Sequence, residues 1–438
     1  MSDSPKPGRV AEVPSLATSD VRRQPVGRFR WIDAVSAFRH RNYRIFFCGQ
    51  FVSLIGTWLQ STAEGWLVYQ LSGSSVALGF IRFANMLPFA LIAVWGGIVA
   101  DRHSKRQILI VTQCASMCLA FVLAGLVYLG MIRVWHVAAI GFLLGVVNAF
   151  DVPARQSFVV ELVGRDDLIN GIALNSSMFN LARMLGPAVA GMLIGLVGMA
   201  GCFFLNGFSY IAVILGYGLL RLPKFVPRQN HPPFLDAIRE AFYHIRNEGP
   251  LRAIMVLVST FSVFGVSFAI LMPVFAKDIL HGNAQAFGIL MASNGGGALI
   301  GGIALASLGK RFQRRHLIYT GLFACCAFLI LFAMSRVFLL SCGLLFCAGF
   351  FMIPFFATAN TSVQLRSPDA LRGRIMGFYS MCFFGMSSIG SLVAGTMARF
   401  LSAPVAVIVG SVICCAVGLM TWRRITPIPT PTTENPVR

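Results

Sequence analysis

Within the apolar run that starts at Ile45 and ends near Leu71 stands one carboxylate, Glu64, in the stretch Gly56-Thr-Trp-Leu-Gln-Ser-Thr-Ala-Glu64-Gly-Trp66. An acid in such a place can carry a proton, or it can pair with a base and pin two helices together. The next apolar run, 75 to 100, holds Arg82. If both runs are helices joined by a turn at Ser72 to Ser74, they are antiparallel, and Glu64 and Arg82 are each nine residues from position 73. Helical rise then sets both about 13 Å below the surface, side by side, where each makes the other less costly to bury. Two readings stand. One is a static pair; the other is a proton-coupling site whose occupancy is set by the balance between burial and Arg82.

A second base, Arg183, lies about 14 residues into the run from 169 to 195, roughly 21 Å along a helix. At that depth a lone arginine is costly unless water, an acid or an anionic ligand meets it. Asn175, Ser176 and Asn180 precede it on the same helix. It reads either as a cavity residue or as a pin between helices.

Other chemistries lack their residues. Gly309-Lys310 is preceded at the required distance by Ala304 and followed by Arg311, so the phosphate-cradling loop of ATPases is missing. Ser387 and Ser388 have no nearby His and no Gly-x-Ser-x-Gly context. None of the seven histidines lies well inside an apolar run, and the eleven cysteines form no Cys-x2-Cys pair beside a His. No metal and no cofactor is expected, the cysteines read as small core residues, and the chain does not read as an enzyme.

The elements that must hold these residues are helices in a bilayer. Of 438 residues, 56% are hydrophobic and 12% charged, too apolar for a soluble domain. About twelve apolar runs, each of about 20 residues, follow one another between 45 and 422, the fourth from 135 to 156. The formal charge of +20 is unevenly placed: thirty Lys and Arg fall on the side shared by both termini, and only Arg133, Lys277, Arg336 and Arg399 on the other. This imbalance puts both termini in the cytoplasm by the positive-inside rule, and it makes the charge a topology signal rather than a nucleic-acid footprint. Residues 1–44, Pro- and Arg-rich without a secretory signal, read as a disordered cytoplasmic tail. Residues 45–220 then form a first six-helix bundle, 252–424 a second, and 425–438 a cytoplasmic tail. Between the bundles, in 221–251, Phe234, Leu235, Ile238, Ala241, Phe242 and Ile245 recur at helical spacing, as in an amphipathic helix on the cytoplasmic membrane surface.

The two bundles echo one another. Gly96-Gly-Ile-Val-Ala and Gly301-Gly-Ile-Ala-Leu lie 205 residues apart, and Gly186-Pro-Ala-Val-Ala-Gly191 and Gly390-Ser-Leu-Val-Ala-Gly395 lie 204 apart, which argues for a duplicated six-helix unit. Gly97-Ile-Val-Ala-Asp101-Arg102-His-Ser-Lys105-Arg106 resembles the major-facilitator signature Gly-x-x-x-Asp-Arg-x-Gly-Arg-Arg, departing from it at Ser104 and Lys105. Phe150-Asp151-Val-Pro153-Ala-Arg155-Gln156, Asn175 to Pro187, Pro273-Val-Phe-Ala-Lys277-Asp278 and Phe287-Gly-Ile-Leu are similar to the branch of that superfamily containing the enterobactin exporter and related macrolide and multidrug exporters.

The resemblance implies an all-α membrane protein of twelve transmembrane helices in two pseudo-symmetric six-helix bundles. It implies a secondary active transporter of the bacterial inner membrane, most simply proton-coupled, exporting a bulky amphiphile such as a siderophore or a drug-like compound by alternating access. Glu64 and Arg82 are then the proton-coupling candidates, with substrate competing for Arg82. Arg183, Asn180, Gln60, Asn85, Trp58 and Phe383 are the substrate-cavity candidates, with Trp66 a further stacking surface. Two buried arginines against one buried glutamate favour an anion or a zwitterion as substrate. Gly97, Asp101, Arg102, Lys105 and Arg106 form a conformational latch, and Gly186-Pro187 a point where the fifth span bends or packs tightly. The expected partners are a small-molecule substrate, the proton and the lipid bilayer, with no nucleic acid and no second copy. An importer or facilitator of a small organic solute, or a receptor or scaffold that transports nothing, are the alternatives.

Overall fold

A computed structural model describes residues 36–164, 167–221, 234–368 and 371–425. Among them the chain is helical throughout. A short 3-10 turn, Ser36–Arg39, leads into α1 (Arg41–Ser72), so the folded body begins ahead of the expected boundary at 45. Gly73 follows at φ 58, a left-handed conformation that glycine adopts without steric cost, and its N–H caps α1 on the Tyr69 carbonyl. The helix α2 (Ser75–Arg102) then starts on Ser74, whose hydroxyl accepts from the Ala77 N–H. Next come α3 (Lys105–Tyr128), α4 (Val134–Val163) and α5 (Leu168–Leu219). At 52 residues α5 is far longer than a bilayer is thick; it turns at Gly198, where φ 70 and ψ 177 interrupt the helix and divide it into two arms.

The remaining helices are α6 (Phe234–Asn247), α7 (Gly249–Thr260), α8 (Ala284–Leu308), α9 (Arg314–Met334), α10 (Phe338–Arg366), α11 (Arg372–Ser380), α12 (Met386–Leu401) and α13 (Ala403–Thr421). Wider π turns, Phe261–Gly265 and Phe275–Ile279, continue α7, and a third, Met381–Gly385, joins α11 to α12. Among the described residues, ten stretches are long and apolar enough to cross a membrane. The two arms of α5 form one of these stretches, and α1 is not among them because its apolar run is broken by Gln50, Ser53, Gln60 and Glu64.

The buried core separates the chain into two sets. Residues 241 to 425 share one continuous apolar cluster, which the first set joins through the buried Trp66, with Ile194 and Met199 packed against it. The first set has three smaller clusters, because a belt of buried polar groups runs between them: Gln50, Ser53, Gln60, Thr112, Gln113, Asp151, Asn206 and Ser209. In the second set the buried polar side chains among the described residues are Ser and Thr alone. The sets meet where α5 packs on α8 and α2 on α12.

Two expectations differ from what is found. The amphipathic helix α6 is moored to protein: Ala241 and Ile245 are buried in the second core, Glu240 pairs with Arg374 at 2.9 Å, and Glu248 with Arg366 at 3.3 Å. Residues 222–233 of the linker, like most of both tails, lie outside the described residues. The cysteines also divide, with Cys202, Cys325, Cys326 and Cys414 buried but Cys48 and Cys118 exposed. At the start of α5, the Ser36 hydroxyl and then the His40 imidazole hold the Asp167 carboxyl below the usual carboxylate range, fastening the 3-10 turn to that helix.

Candidate functional site

Glu64 and Asn85 meet against α4. A Cβ placed on Gly141 would lie 3.9 Å from Glu64 Oε1 and 3.8 Å from Asn85 Nδ2, and Asn85 Nδ2 donates to the Gly141 carbonyl at 3.1 Å. Those are ordinary contact distances; the close approach of α2 to α4 is one turn on, where a Cβ on Gly145 would lie 2.0 Å from the Asn85 carbonyl oxygen. Glu64 and Arg82 act on one another electrostatically, yet no ion pair within 4 Å joins them. The expected side-by-side pair is therefore a looser one, held apart enough for each to take another partner.

Gln60 is turned elsewhere. Its Oε1 accepts from Asn206 Nδ2 at 2.6 Å inside the first set, and it is 5% exposed, so its amide oxygen is already engaged rather than offered to a ligand. Trp58 packs edge-on against Phe179 at 5.7 Å and beside Gly186, where a Cβ would come within 2.3 Å of its own. Gly186-Pro187 thus works by close approach of α1 and α5; the backbone stays helical through Pro187 and is interrupted only at Gly198. Phe383, in the π turn, packs edge-on against Phe356 and Phe384, each at 4.8 Å, and Phe384 reaches across to Phe89 of α2 at 5.3 Å. Arg183 lies midway along the first arm of α5, with Asn180 one turn before it donating to the Ser176 carbonyl at 2.9 Å.

A second buried acid escaped the sequence reading. Asp151 is 2% exposed and accepts from Thr112 at 3.0 Å and Gln113 at 2.9 Å, while pairing with Arg155 one turn on. The expected span ended at 156, which set Asp151 near the surface; α4 runs on to Val163, placing it 12 residues, about 18 Å, from the helix end. The signal was present in the i, i+4 acid and base of Asp151-Val-Pro-Ala-Arg155.

Just past the loop between α2 and α3, at the start of α3, Lys105 pairs with Glu161 of α4, and Arg106 donates to the Gly218 carbonyl at 3.0 Å at the end of α5. A cation at a helix C-terminus meets the negative end of the helix dipole. Both contacts stay within the first set. Arg102 is exposed, and the Asp101 side chain lies outside the described residues. Gly97 has open space around it; the close approach belongs to Gly96, whose Cβ would lie 1.9 Å from the Ala149 carbonyl.

Opposite that loop, the two sets are bolted together. The Tyr69 hydroxyl donates to Asp278, Lys277 Nζ stands 5.6 Å from the Tyr69 ring centre, Trp66 stacks on Phe287 at 5.9 Å, and Ser75 donates to the Gly395 carbonyl at 2.8 Å. A pocket of about 470 Å³ opens there, lined by Tyr69, Ser74, Asp278, Arg399 and Ser402. Backbones touch at glycines: a Cβ on Gly79 would meet the Ser391 carbonyl at 2.4 Å, and one on Gly288 the Pro187 carbonyl at 2.6 Å. Gly79→Val is accordingly expected to force the seam apart, lengthening the distance between spin labels at positions 74 and 402 by several ångströms. Gly96→Val, whose clash lies within one set, should lower the unfolding temperature and leave that distance alone. An unchanged distance in Gly79→Val would show that the seam gives way elsewhere.

Residues 32–435 match the family model described as a transmembrane secretion effector. The chain is 25% identical over 286 residues to the staphyloferrin A transporter of Staphylococcus aureus, covering 64% of this chain and 70% of that one. It is 22% identical over 402 residues to macrolide efflux protein A of Streptococcus pyogenes, covering 88% and 93%. Among solved structures, a bacterial homolog of the human lysosomal transporter Spinster, inward-facing and unoccupied, superposes with a TM-score of 0.71 at 11% identity over 91% of this chain and 98% of that one.

Proposed function

From the premise that this chain belongs to the transmembrane secretion effector family of major-facilitator transporters, we propose that it exports a bulky amphiphilic small molecule, a siderophore or a drug-like compound, in exchange for protons. The chain is a multi-pass membrane transporter and not an enzyme. In the proposed arrangement α1 and the second arm of α5 complete twelve spans in two six-helix bundles, 45–220 and 252–424, joined by the linker 221–251. Both termini lie in the cytoplasm of a bacterial inner-membrane monomer, so the Tyr69 end faces the periplasm.

The observation that carries the reading is the seam. Its contacts run from the turn at Gly73 to mid-depth, through Ser75, Gly79 and Trp66, and through Gly191 against Gly288 and Met184 against Gly295. Two rigid sets joined mostly at one end can rock about the joined region and open at the other, which is how alternating access proceeds. Glu64 lies eight residues from the end of α1, about 12 Å in, beside Arg82 and Asn85. A carboxylate there can take a proton while the seam is open to one side and release it on the other. The staphyloferrin A transporter and the macrolide efflux protein among the chain's relatives support transport of an amphiphile, the latter outward.

The test is a deletion strain grown under iron limitation, its secreted metabolites profiled beside its sensitivity to macrolides and dyes. Loss of a secreted amphiphile or gain of sensitivity is the expected outcome. An unchanged profile with unchanged sensitivity would turn the reading toward import, and absence of any flux in sealed vesicles toward a receptor or scaffold.

A further inference from the structure

Three arginines sit inside spanning helices of the first set, Arg82, Arg155 and Arg183. Arg155 pairs with Asp151, and Arg82 has Glu64 as its electrostatic partner. The sequence tally of two buried arginines against one glutamate therefore becomes three against two, and the cation left unmatched is Arg183. Its Nη2 is buried without a hydrogen-bond partner, and no carboxylate among the described residues lies within 4 Å of it. It stands 15 residues from Leu168 and 15 from Gly198, about 22 Å from either end of its arm and so as far from both membrane surfaces as the helix allows.

Position adds to charge. The Arg183 carbonyl lies 2.9 Å from where a Cβ on Gly295 would sit, at the crossing of α5 and α8, where the halves touch most extensively. Toward the α3 side, Ser176, Asn180 and Arg183 recur at i, i+4 and i+7, one face of the helix, with Ser176 exposed and Asn180 half-buried. This stripe of polar groups runs along the helix from the exposed Ser176 to the unpaired guanidinium. A guanidinium offers a planar fork of donors that fits two oxygens of one carboxylate, and desolvation strengthens such a contact.

We propose that Arg183 is the specificity-determining residue for the transported molecule, binding a carboxylate on it at the seam between the halves. The proposal rests on the transporter reading above and adds the charge class of the substrate. A soluble carboxylate supplies the missing counter-charge only while it is bound, so occupancy neutralises the crossing of α5 and α8 and release restores the charge. The same pair of anionic oxygens could come from a lipid phosphate, and the experiment separates the two.

The full-length protein is placed in phosphatidylcholine nanodiscs, and binding of 11-(dansylamino)undecanoic acid is compared with that of its methyl ester, which has the same shape without the charge. Wild type is expected to bind the acid about tenfold or more tighter than the ester. Arg183→Lys should keep part of that preference and Arg183→Gln lose it. Equal affinity for acid and ester in wild type overturns the proposal, as does an undiminished preference in Arg183→Gln. If the glutamine variant fails to fold, the wild-type ratio and the lysine variant decide. Repeating the titration in phosphatidylglycerol nanodiscs addresses the lipid: displacement of the acid from wild type by that lipid assigns the site to headgroups and overturns the substrate role. Flux of the acid in proteoliposomes is read separately. Preference without flux leaves the anion site standing and removes the transport reading; flux of acid and ester alike does the reverse.

Discussion

Glu64→Gln is expected to abolish concentration of substrate by the reconstituted protein in response to an imposed pH difference, while exchange of labelled for unlabelled substrate continues. Glutamine keeps the shape and hydrogen-bonding reach of the side chain beside Asn85 and Gly141 and removes the proton it could carry. One pH unit is worth about 1.4 kcal/mol, so a one-for-one exchange can hold about a tenfold ratio in wild type, falling to about one in the variant. The looseness of the Glu64 and Arg82 contact is what makes the coupling role chemically reasonable, because a tightly closed pair would keep the acid ionised throughout. A tenfold ratio sustained by Glu64→Gln would assign the coupling elsewhere and leave Glu64 a structural residue.

The second large effect concerns stability. Asp151 is provided with partners by Arg155, Thr112 and Gln113, which makes it a fastener between α3 and α4 rather than a carrier. Removing one partner of a buried ion pair leaves the other uncompensated and costs about 3–5 kcal/mol. Asp151→Ala and Arg155→Ala should each lower the denaturation midpoint sharply in detergent. The double substitution Asp151→Leu with Arg155→Met should recover most of the loss, since well-packed apolar residues can replace such a pair. If each single substitution unfolds no more easily than wild type, the polar belt is not what holds the first set together.

Much of this arrangement is legible in the chain itself, and the illegible part has a common cause. Apolar runs, the placement of cations and the antiparallel depth argument follow from composition and helical rise, and they bring Glu64 and Arg82 to the same neighbourhood. Partners at long separation leave no local trace. Gln60 looks available because nothing near it announces Asn206, 146 residues away, and Tyr69 meets Asp278 across 209 residues. Helix ends mattered for Asp151, where seven residues between an expected end at 156 and the observed Val163 separate a surface acid from a buried one. At Pro187 the local rule foresaw either a bend or tight packing; the chain takes the second, and the reversal falls at Gly198, where the positive φ admits a residue without a side chain. Gly96 and Gly97 are equivalent as letters, and only the neighbouring helix tells them apart.

The glycines of the seam bear on how fast the protein can work. Gly79, Gly288 and Gly295 let one backbone rest on another, so parting the halves withdraws few large side chains from sockets. Contacts of this kind are shallow, on the order of 0.5–1 kcal/mol for each Cα–H to carbonyl approach, and they fade within a fraction of an ångström. The work of separation is then divided among many small steps, with the Tyr69 to Asp278 bond as one larger one. Such a surface behaves as a bearing: it locates the two bodies accurately and resists their sliding little, which favours rapid cycling at ordinary temperatures over a strongly preferred resting state.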